Sequence, residues 1–183
     1  DGGEGGGKDT HIERIKEIYG GARNILFTRE PGGTEIGLEI RATLLSTRNT
    51  AMAPETELLL FCAARAQLMR EVVIPALKKG ITVVSNRFDA ATAAYQIYGR
   101  VRHHLLGVFR TINTLALTDA ETGEIFRPDT YVLLDVSPQV GLLRKSGKIG
   151  GLDRMEAEVI DFHERVREGF KIFLAMEHTS RHS

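Results

Sequence analysis

The sequence contains no tryptophan and a single cysteine, Cys62. A single thiol cannot form an internal disulfide, and so low a cysteine content is typical of a protein in a reducing compartment. Cys62 lies in an apolar helical pattern, which favours a small core residue over a catalytic nucleophile. A secretory signal and an apolar run long enough to span a membrane are both missing. We therefore expect a cytoplasmic protein that does not act at a membrane.

The sequence also lacks an excess of charge of either sign, because 24 Lys and Arg residues balance 24 Asp and Glu residues. Proteins that coat nucleic acid carry a basic surplus, so nucleic acid is not an expected partner and any basic site must be local. The length of 183 residues suits one domain with a sizeable core. We therefore treat residues 1–183 as a single domain.

Short apolar runs alternate with longer amphipathic ones, which is typical of an α/β domain with a parallel sheet. Three runs rich in β-branched or aromatic residues predict strands, over 24–28, 81–85 and 130–136. Helices are predicted over 10–19, 35–45, 54–79 and 157–175, with a pair across 90–117.

The opening residues predict a phosphate-binding loop. Gly2 and Gly7-Lys8 fit the pattern G-x-x-x-x-G-K-[ST], in which backbone N–H groups surround phosphate oxygens and the lysine reaches the β- and γ-phosphates. A helical pattern follows at once, and a helix N-terminus stabilises an anion. The last position should carry a hydroxyl for Mg²⁺, and here it is Asp9. A flexible glycine-rich linker is the alternative interpretation.

A strand normally leads into such a loop, and none precedes Gly2 in this chain. We therefore expect flanking strands to be missing, either from the protein or only from this chain.

Two polar loops follow predicted strands, T-R-E-P-G-G-T over 28–34 and S-N-R-F-D over 85–89. Ligands bind at the carboxyl ends of parallel strands, so both loops should face the phosphate loop. The segment 144–154 is basic and rich in glycine, which predicts a mobile lid whose cations reach a phosphate on closing. The alternative is a solvated turn and ordinary surface arginines.

The chain contains, in order, the motifs GGEGGGK, FTREPGGT, ELLLFCAARAQ, NRF, AYQ, FRPD, LLDV and LDRME. With these motifs it resembles the bacterial thymidylate kinases, which are nucleoside monophosphate kinases of the P-loop class. The resemblance runs from residue 2 to about residue 175. It implies a three-layer α/β/α fold with a parallel sheet, and transfer of a phosphoryl group from ATP, with Mg²⁺, to dTMP. It also implies a homodimer, for which the apolar run 58–66 is a candidate contact unless that run is core.

By position, the resemblance implies a nucleotide-binding loop made of Gly2, Gly3, Glu4, Gly5, Gly6, Gly7, Lys8, Asp9 and Thr10. The residues it implies around dTMP are Glu4, Arg29, Glu30, Pro31, Arg41, Phe61, Arg65, Arg87, Tyr95 and Gln96. The bond between Glu30 and Pro31 resembles a cis peptide of the family.

Individual roles also follow from the resemblance. Phe61 matches an aromatic residue stacked on thymine, and Arg65 matches one that bonds the thymine carbonyl. Arg41 and Arg87 match the pair that binds the dTMP phosphate, and Glu4 matches the acid near the sugar 3′-hydroxyl. The remaining pair, Tyr95 and Gln96, matches residues that face the sugar and the base. The residue types suit this ligand, because guanidinium groups bind a dianionic phosphate and an aromatic face binds a base.

The catalytic cations implied by the resemblance are Lys8, Arg87, Arg144, Lys148 and Arg154. Because the phosphate loop carries no arginine, the chain resembles the lid type of the family, in which cations arrive with the lid.

Two departures from the family pattern concern the metal. Asp9 replaces a hydroxyl, and Asn86 replaces an aspartate that holds the metal or its water. At about 4 Å and an effective dielectric near 20, a carboxylate and a phosphate repel each other by about 4 kcal/mol per unit charge. The helix N-terminus stabilises the carboxylate by only about 0.5 kcal/mol. Because a carboxylate is a good Mg²⁺ ligand, we expect a Mg²⁺ ion between the Asp9 carboxylate and the phosphate. The carboxylate of the metal site would then have moved from position 86 to position 9.

The alternative is a catalytically impaired nucleotide-binding homologue. A GTPase switch is disfavoured because no guanine-reading N-K-x-D run occurs. Two further departures from the family are Ala91, in place of a small hydroxyl, and Val101, in place of a glycine.

Overall fold

The computed structural model describes residues 1–19, 21, 24–145 and 152–182. Its regular elements are α1 (Lys8–Tyr19), β1 (Ile25–Arg29), α2 (Glu35–Leu45), α3 (Pro54–Leu68), a π-helical turn (Met69–Val73), α4 (Ile74–Lys78), β2 (Thr82–Asn86), α5 (Asp89–Thr92), a π-helical segment (Ala93–Gly99), a 3-10 turn (His103–Leu105), α6 (Leu106–Leu117), α7 (Pro138–Lys145) and α8 (Ile160–His182). In this part of the chain no helix is long and apolar enough to cross a membrane.

Strands β1 and β2 form a parallel pair, with Ile25 opposite Thr82 and Arg29 opposite Asn86. Parallel neighbours need a long crossover, and the helices α2 to α4 supply it. Two of the three predicted strands are therefore confirmed, each shifted by one residue. Because both strands end at the same edge, the two polar loops that follow them lie side by side.

The strand predicted over 130–136 is wrong, since the structure assigns no strand there. The segment is held instead by one residue: the Asp1 amino group donates to the Val132 carbonyl at 2.8 Å, and the Leu134 N–H donates to the Asp1 carbonyl at 3.0 Å. These two bonds have the pattern of a parallel ladder, but a ladder with a single partner residue does not make a strand. The Asp1 carboxylate also accepts the Phe88 N–H at 3.0 Å, which ties this segment to the end of β2.

The helix predicted over 54–79 has the expected extent but is interrupted by the π-helical turn. Proline at position 75 has no N–H, and its ring would clash with the carbonyl four residues earlier. A wider turn just before the proline relieves that clash. Gly80 then ends the run with a φ of +71°, as a helix C-cap does.

The core lies between the π-helical segment and α8. Ala93 and Ala94 of the π-helical segment and Ala90 of the preceding α5 are small, and Phe162, Phe170 and Phe173 of α8 pack in the same core cluster. Helix α8 begins three residues later than predicted and continues to His182. Cys62 is buried in the same core, which confirms its structural role, and burial raises the pKa of its thiol to about 11.

Val101 has a φ of +55°, in the left-handed region that β-branched residues rarely adopt. This conformation costs a residue with a Cβ about 1–2 kcal/mol, and the Val101 side chain is 50% exposed, so its removal loses little burial. We expect Val101→Gly to raise the free energy of unfolding by about 1 kcal/mol and Tm by about 2–4 °C, measured by thermal denaturation. Val159→Gly is the matched control: the exposed Val159 is not among the residues with positive φ, so this change should lower Tm. Equal decreases in both variants would contradict the argument.

Candidate active site

Residues Gly2 to Gly7 form a loop that leads into α1, whose first residue is Lys8. Gly2, Gly5 and Gly7 have φ values of +138°, +62° and +85°, which residues with a Cβ rarely adopt. A Cβ on Gly2 would lie 2.5 Å from the Leu134 carbonyl oxygen, and one on Gly5 would overlap the carbonyl of Gly141 in α7. The loop therefore requires glycine for its conformation and for its close packing.

Lys8 folds back over the loop. Its ammonium group donates to the Gly2 carbonyl at 3.0 Å and to the Gly3 carbonyl at 2.6 Å. Burial and the nearby Arg87 lower the pKa of Lys8 to about 7. A lysine whose charge is destabilised in this way gains stability from an anion, as expected at a helix N-terminus that binds phosphate.

Glu4 connects the loop to the end of β2. Its carboxylate lies 2.5 Å from Nη2 of Arg87, accepts the Tyr95 hydroxyl at 2.8 Å and lies 3.9 Å from Nζ of Lys145. Burial favours the neutral form, but Arg87 and Lys8 outweigh it and lower the pKa of Glu4 to about 2. Glu4 is therefore a carboxylate at neutral pH, held between cations.

A cavity of about 590 Å³ opens between this loop, the ends of the two strands and the π-helical segment. This volume is within the usual range for small-ligand sites. The predicted site residues that line it are Glu4, Gly5, Gly6, Gly7, Lys8, Asp9, Thr10, Arg29, Glu30, Pro31, Arg41, Phe61, Asn86, Arg87, Tyr95, Gln96 and Arg144. The structure thus brings together residues from seven separate stretches of the sequence. The peptide bond between Glu30 and Pro31 is cis, as the resemblance implied.

Arg65 lies behind the cavity wall and is only 1% exposed. Its guanidinium donates to the Glu30 carboxylate at 2.6 and 2.9 Å, to the Asn113 carbonyl oxygen at 3.1 Å and to the Thr92 hydroxyl at 2.8 Å. All three guanidinium nitrogens are therefore engaged within the protein. Asn113 donates in turn to Asp89 at 3.0 Å, so Arg65 is the centre of a buried polar network that stiffens this wall.

Among the described residues, three other predicted site residues do not line the cavity: Gly2, Gly3 and Arg154. Gly2 and Gly3 turn their carbonyls to Lys8, and Lys148 lies outside the described residues. Nη1 of Arg154 lies 2.6 Å from the Glu57 carboxylate, and its Nε donates to the Leu44 carbonyl at 2.8 Å. In this arrangement the guanidinium of Arg154 is bound to Glu57 and Leu44 and does not line the cavity.

Asp9 and Asn86 meet at the edge of the cavity, where the Asn86 amide donates to the Asp9 carboxylate at 2.6 Å. The amide oxygen of Asn86 is buried and has no hydrogen-bond partner in the described part of the chain. Carboxylate and amide oxygens are the ligands that Mg²⁺ prefers, so this pair fits the metal. No group of three or more His, Cys, Asp or Glu residues that suits a metal occurs among the described residues. Two protein ligands completed by water and nucleotide phosphates is the usual arrangement for Mg²⁺.

Sequence reasoning missed Lys145 and Glu156, which also line the cavity. Nζ of Lys145 lies 2.8 Å from the buried Glu156 carboxylate. The neighbouring Arg144 donates to the Gly5 carbonyl at 3.2 Å, so two consecutive residues at the end of α7 both approach the phosphate loop. The basic composition of 144–154 was the available signal, but it does not say which cations of the lid face inward.

Comparison with known proteins gives consistent results. A sequence model described as thymidylate kinase matches residues 1–180. The chain is 44% identical to the thymidylate kinase of Geobacter sulfurreducens over 173 residues, covering 91% of this chain and 78% of that protein. It is 45% identical to the thymidylate kinase of Carboxydothermus hydrogenoformans over 169 residues, with the same coverage of 91% and 78%.

A solved structure agrees with these relatives. The crystal structure of thymidylate kinase from Ehrlichia chaffeensis matches with a TM-score of 0.70 and 28% sequence identity, covering 96% of this chain and 79% of that chain. The fold is therefore the P-loop α/β kinase fold predicted from the sequence. By sequence and by structure, the chain belongs to the thymidylate kinase family.

Proposed function

We propose that this protein transfers the γ-phosphoryl group of ATP to dTMP, giving dTDP and ADP, in the presence of Mg²⁺. The observation that carries the proposal is that one cavity is lined both by the phosphate loop with Lys8 and by Arg41, Phe61 and Arg87. A donor and an acceptor must meet in one cavity to react, because most of the catalysis of phosphoryl transfer comes from positioning and electrostatic stabilisation.

In this proposal Lys8 and the loop N–H groups bind the β- and γ-phosphates of ATP, while Arg41 and Arg87 bind the phosphate of dTMP. An oxygen of that phosphate attacks the γ-phosphorus as the bond to the bridging β–γ oxygen breaks. Arg87 stands between the two sides, since it donates to the Gly2 carbonyl at 3.0 Å and pairs with Glu4. Mg²⁺ held by Asp9 and Asn86 would neutralise charge on the ATP phosphates.

The lid supplies further cations in the proposal. Arg144 already contacts the phosphate loop, whereas Arg154 reaches the cavity only after leaving Glu57. We propose that Arg144, Lys148 and Arg154 neutralise charge on the transferring phosphoryl group when the lid closes over both nucleotides.

We also propose that the protein is a cytoplasmic homodimer. The run 58–66 divides into two faces of α3: Leu58 and Cys62 belong to the core, whereas Leu59, Ala63 and Ala66 are exposed. The buried face is core, and we propose the exposed face as the contact with a second copy. The exposed Leu115 of α6, a helix that packs on α3, extends the apolar surface available to a second copy.

A coupled ADP-release assay tests the reaction. With ATP and each of dTMP, dUMP, dGMP and dCMP, we expect turnover to be fastest with dTMP. Lys8→Met should lower kcat about 100- to 1000-fold, because a preorganised positive charge at the transferring group is lost. Lys16→Met is the matched control on the exposed part of α1 and should leave kcat unchanged. Saturable binding of dTMP and ATP without any product would instead support the impaired homologue.

Substitutions at Asp9 and Asn86 test the metal site. We expect Asp9→Thr to raise the Mg²⁺ concentration for half-maximal activity about tenfold, and the double variant Asp9→Thr with Asn86→Asp to restore it. The affinity for Mn²⁺, measured by electron paramagnetic resonance, should likewise fall in Asp9→Thr and be restored in the double variant. If the parent chain has no dTMP-dependent turnover and either single reversion restores it, the proposed exchange of ligands is wrong.

The lowered pKa of Lys8 predicts a proton linkage. Its pKa is about 7 in the free protein against an ordinary value of 10.5, so the unfolded state binds more protons between these pH values and this group stabilises the fold increasingly as pH rises from 7 to 10.5. Bound phosphates should raise the pKa again, so ATP binding at pH 8 should take up close to one proton. Calorimetry in buffers of different ionisation enthalpy measures the uptake, and Lys8→Met should abolish it. Identical heats in all buffers for the parent chain would refute the linkage.

A further inference from the structure

Glu30 and Pro31 form one stretch of the cavity wall, and hydrogen bonds hold this stretch at three points. Glu30 is 5% exposed, and its N–H donates to the Asn86 carbonyl at 3.0 Å, which ties the stretch to the end of β2. Its carboxylate accepts from Nε and Nη2 of Arg65 at 2.9 and 2.6 Å. The Pro31 carbonyl accepts from Nη1 of Arg41 at 3.0 Å. The stretch therefore connects a buried arginine to an arginine that lines the cavity.

Arg41 depends on this carbonyl because its own surroundings are largely cationic. Burial and the charges of Arg29 and Arg87 lower the pKa of Arg41, whereas the charge of Asp153 raises it. In the described part of the chain, the Pro31 carbonyl is the one group that accepts a hydrogen bond from the Arg41 guanidinium. An arginine side chain has many rotamers, so a single fixed acceptor determines where its guanidinium lies. The other N–H groups of that guanidinium are left for an anion.

The same stretch sets the spacing between the two cations proposed to bind the phosphate of dTMP. Arg87 directly follows Asn86, whose carbonyl accepts the Glu30 N–H. Arg41 is bound to the next residue along the stretch, Pro31. Two guanidinium groups bind one dianionic phosphate well only when both are directed at it. A displacement of Glu30 would therefore change the position of Arg41 relative to Arg87.

Arg65 holds the stretch in place from behind the cavity wall. Its guanidinium nitrogens also donate to Asn113 and Thr92, so the arginine is itself fixed by partners on other elements. Glu30 is buried with it, and a buried ion pair keeps its geometry because an unpaired charge inside a protein is strongly destabilising. The Glu30 carboxylate thus has a position that the buried network determines.

We propose that Glu30 is a positioning residue that places Arg41 for the phosphate of dTMP. Held by Arg65, the Glu30 side chain fixes the Pro31 carbonyl, and that carbonyl directs the guanidinium of the cavity arginine toward the phosphate. Glu30 therefore contributes to the binding of the phosphate and not to that of the base. The inference rests on the proposed function, because it takes the phosphate of dTMP to lie between Arg41 and Arg87.

The affinities for dTMP and for thymidine, both measured by calorimetry, test the inference because their ratio isolates the contribution of the phosphate. In the parent chain we expect dTMP to bind about 100-fold more tightly. Glu30→Asp keeps the charge that Arg65 requires but shortens the side chain by one methylene, so the stretch moves and Arg41 moves with it. This variant should lower the ratio about tenfold, with the affinity for thymidine changed less than about threefold.

The kinetic constants should show the same separation. Glu30→Asp should raise KM for dTMP about tenfold, because the phosphate of the acceptor is bound less well. The KM for ATP should change less than about twofold, since Lys8 and the phosphate loop are proposed to bind that nucleotide.

Two further variants separate positioning from a general loss of stability. In an Arg41→Met background, Glu30→Asp should lower the ratio no further, because Glu30 acts through Arg41. Glu57→Asp is the matched control: Glu57 is a carboxylate buried to a similar degree that binds Arg100 and Arg154. In the described part of the chain it makes no hydrogen bond to Glu30 or Arg41, so stability should fall while the ratio stays constant.

A crystal structure of the parent chain with dTMP tests the inference without a variant, including if Glu30→Asp fails to fold. We expect Arg41 to bind the phosphate while its Nη1 remains on the Pro31 carbonyl and Glu30 remains paired with Arg65. An Arg41 guanidinium that leaves the Pro31 carbonyl in order to bind the phosphate would overturn the inference.

The outcomes keep the two proposals distinct. An unchanged ratio in Glu30→Asp, or equal losses of affinity for dTMP and thymidine, would overturn the role of Glu30. A further loss when Glu30→Asp is added to Arg41→Met, or a parent chain that binds dTMP and thymidine equally, would overturn it as well. If the ratios shift as expected but no dTMP turnover occurs, the positioning role is supported and only the proposed kinase activity fails.

Discussion

The ion pair between Glu4 and Arg87 joins the two sides of the cavity, and the rest of the site depends on it. Glu4 belongs to the phosphate loop, whereas Arg87 follows β2 in a left-handed conformation with a φ of +72°. A non-glycine residue stays in that conformation only where its surroundings hold it. Here the Arg87 guanidinium donates to the Gly2 carbonyl, pairs with Glu4 and lies 5.0 Å from the centre of the Tyr95 ring. The loop proposed to bind one nucleotide therefore fixes the cation proposed to bind the other.

This coupling also explains the balance of charge around the cavity. Lys8, Arg87 and Lys145 approach one another, and Glu4 and Glu156 are the carboxylates placed between them. Partly buried like charges repel strongly unless opposite charges intervene. Incoming phosphates would add to the negative charge that Glu4 and Glu156 provide. The site is thus organised by its own carboxylates before a nucleotide arrives, which reduces the rearrangement that binding requires.

The sequence predicted the features that depend on local pattern. The glycines of the phosphate loop, the parallel pair of strands and the helix that contains Pro75 were all found where the pattern placed them. The prediction of a strand over 130–136 was wrong because a strand forms only beside a neighbouring strand. In the described part of the chain, Asp1 is the only residue that makes ladder hydrogen bonds to this segment. Burial of β-branched residues indicates an extended segment, but it does not supply the partner.

The buried arginines show where sequence reasoning reaches its limit. Arg65 and Arg154 have the same side chain as Arg87, and charged residues of this type are usually exposed or bound to a ligand. Their positions depend on carboxylates far away in the sequence, Glu30 for Arg65 and Glu57 for Arg154. An arginine is buried only where such a partner is buried with it, and no local pattern identifies the partner. Glu57 is the strongest example of such a buried partner, because its carboxylate binds two arginines and an amide. The polar contacts behind the cavity wall therefore depend on a residue that does not itself line the cavity, and only the three-dimensional structure shows which one.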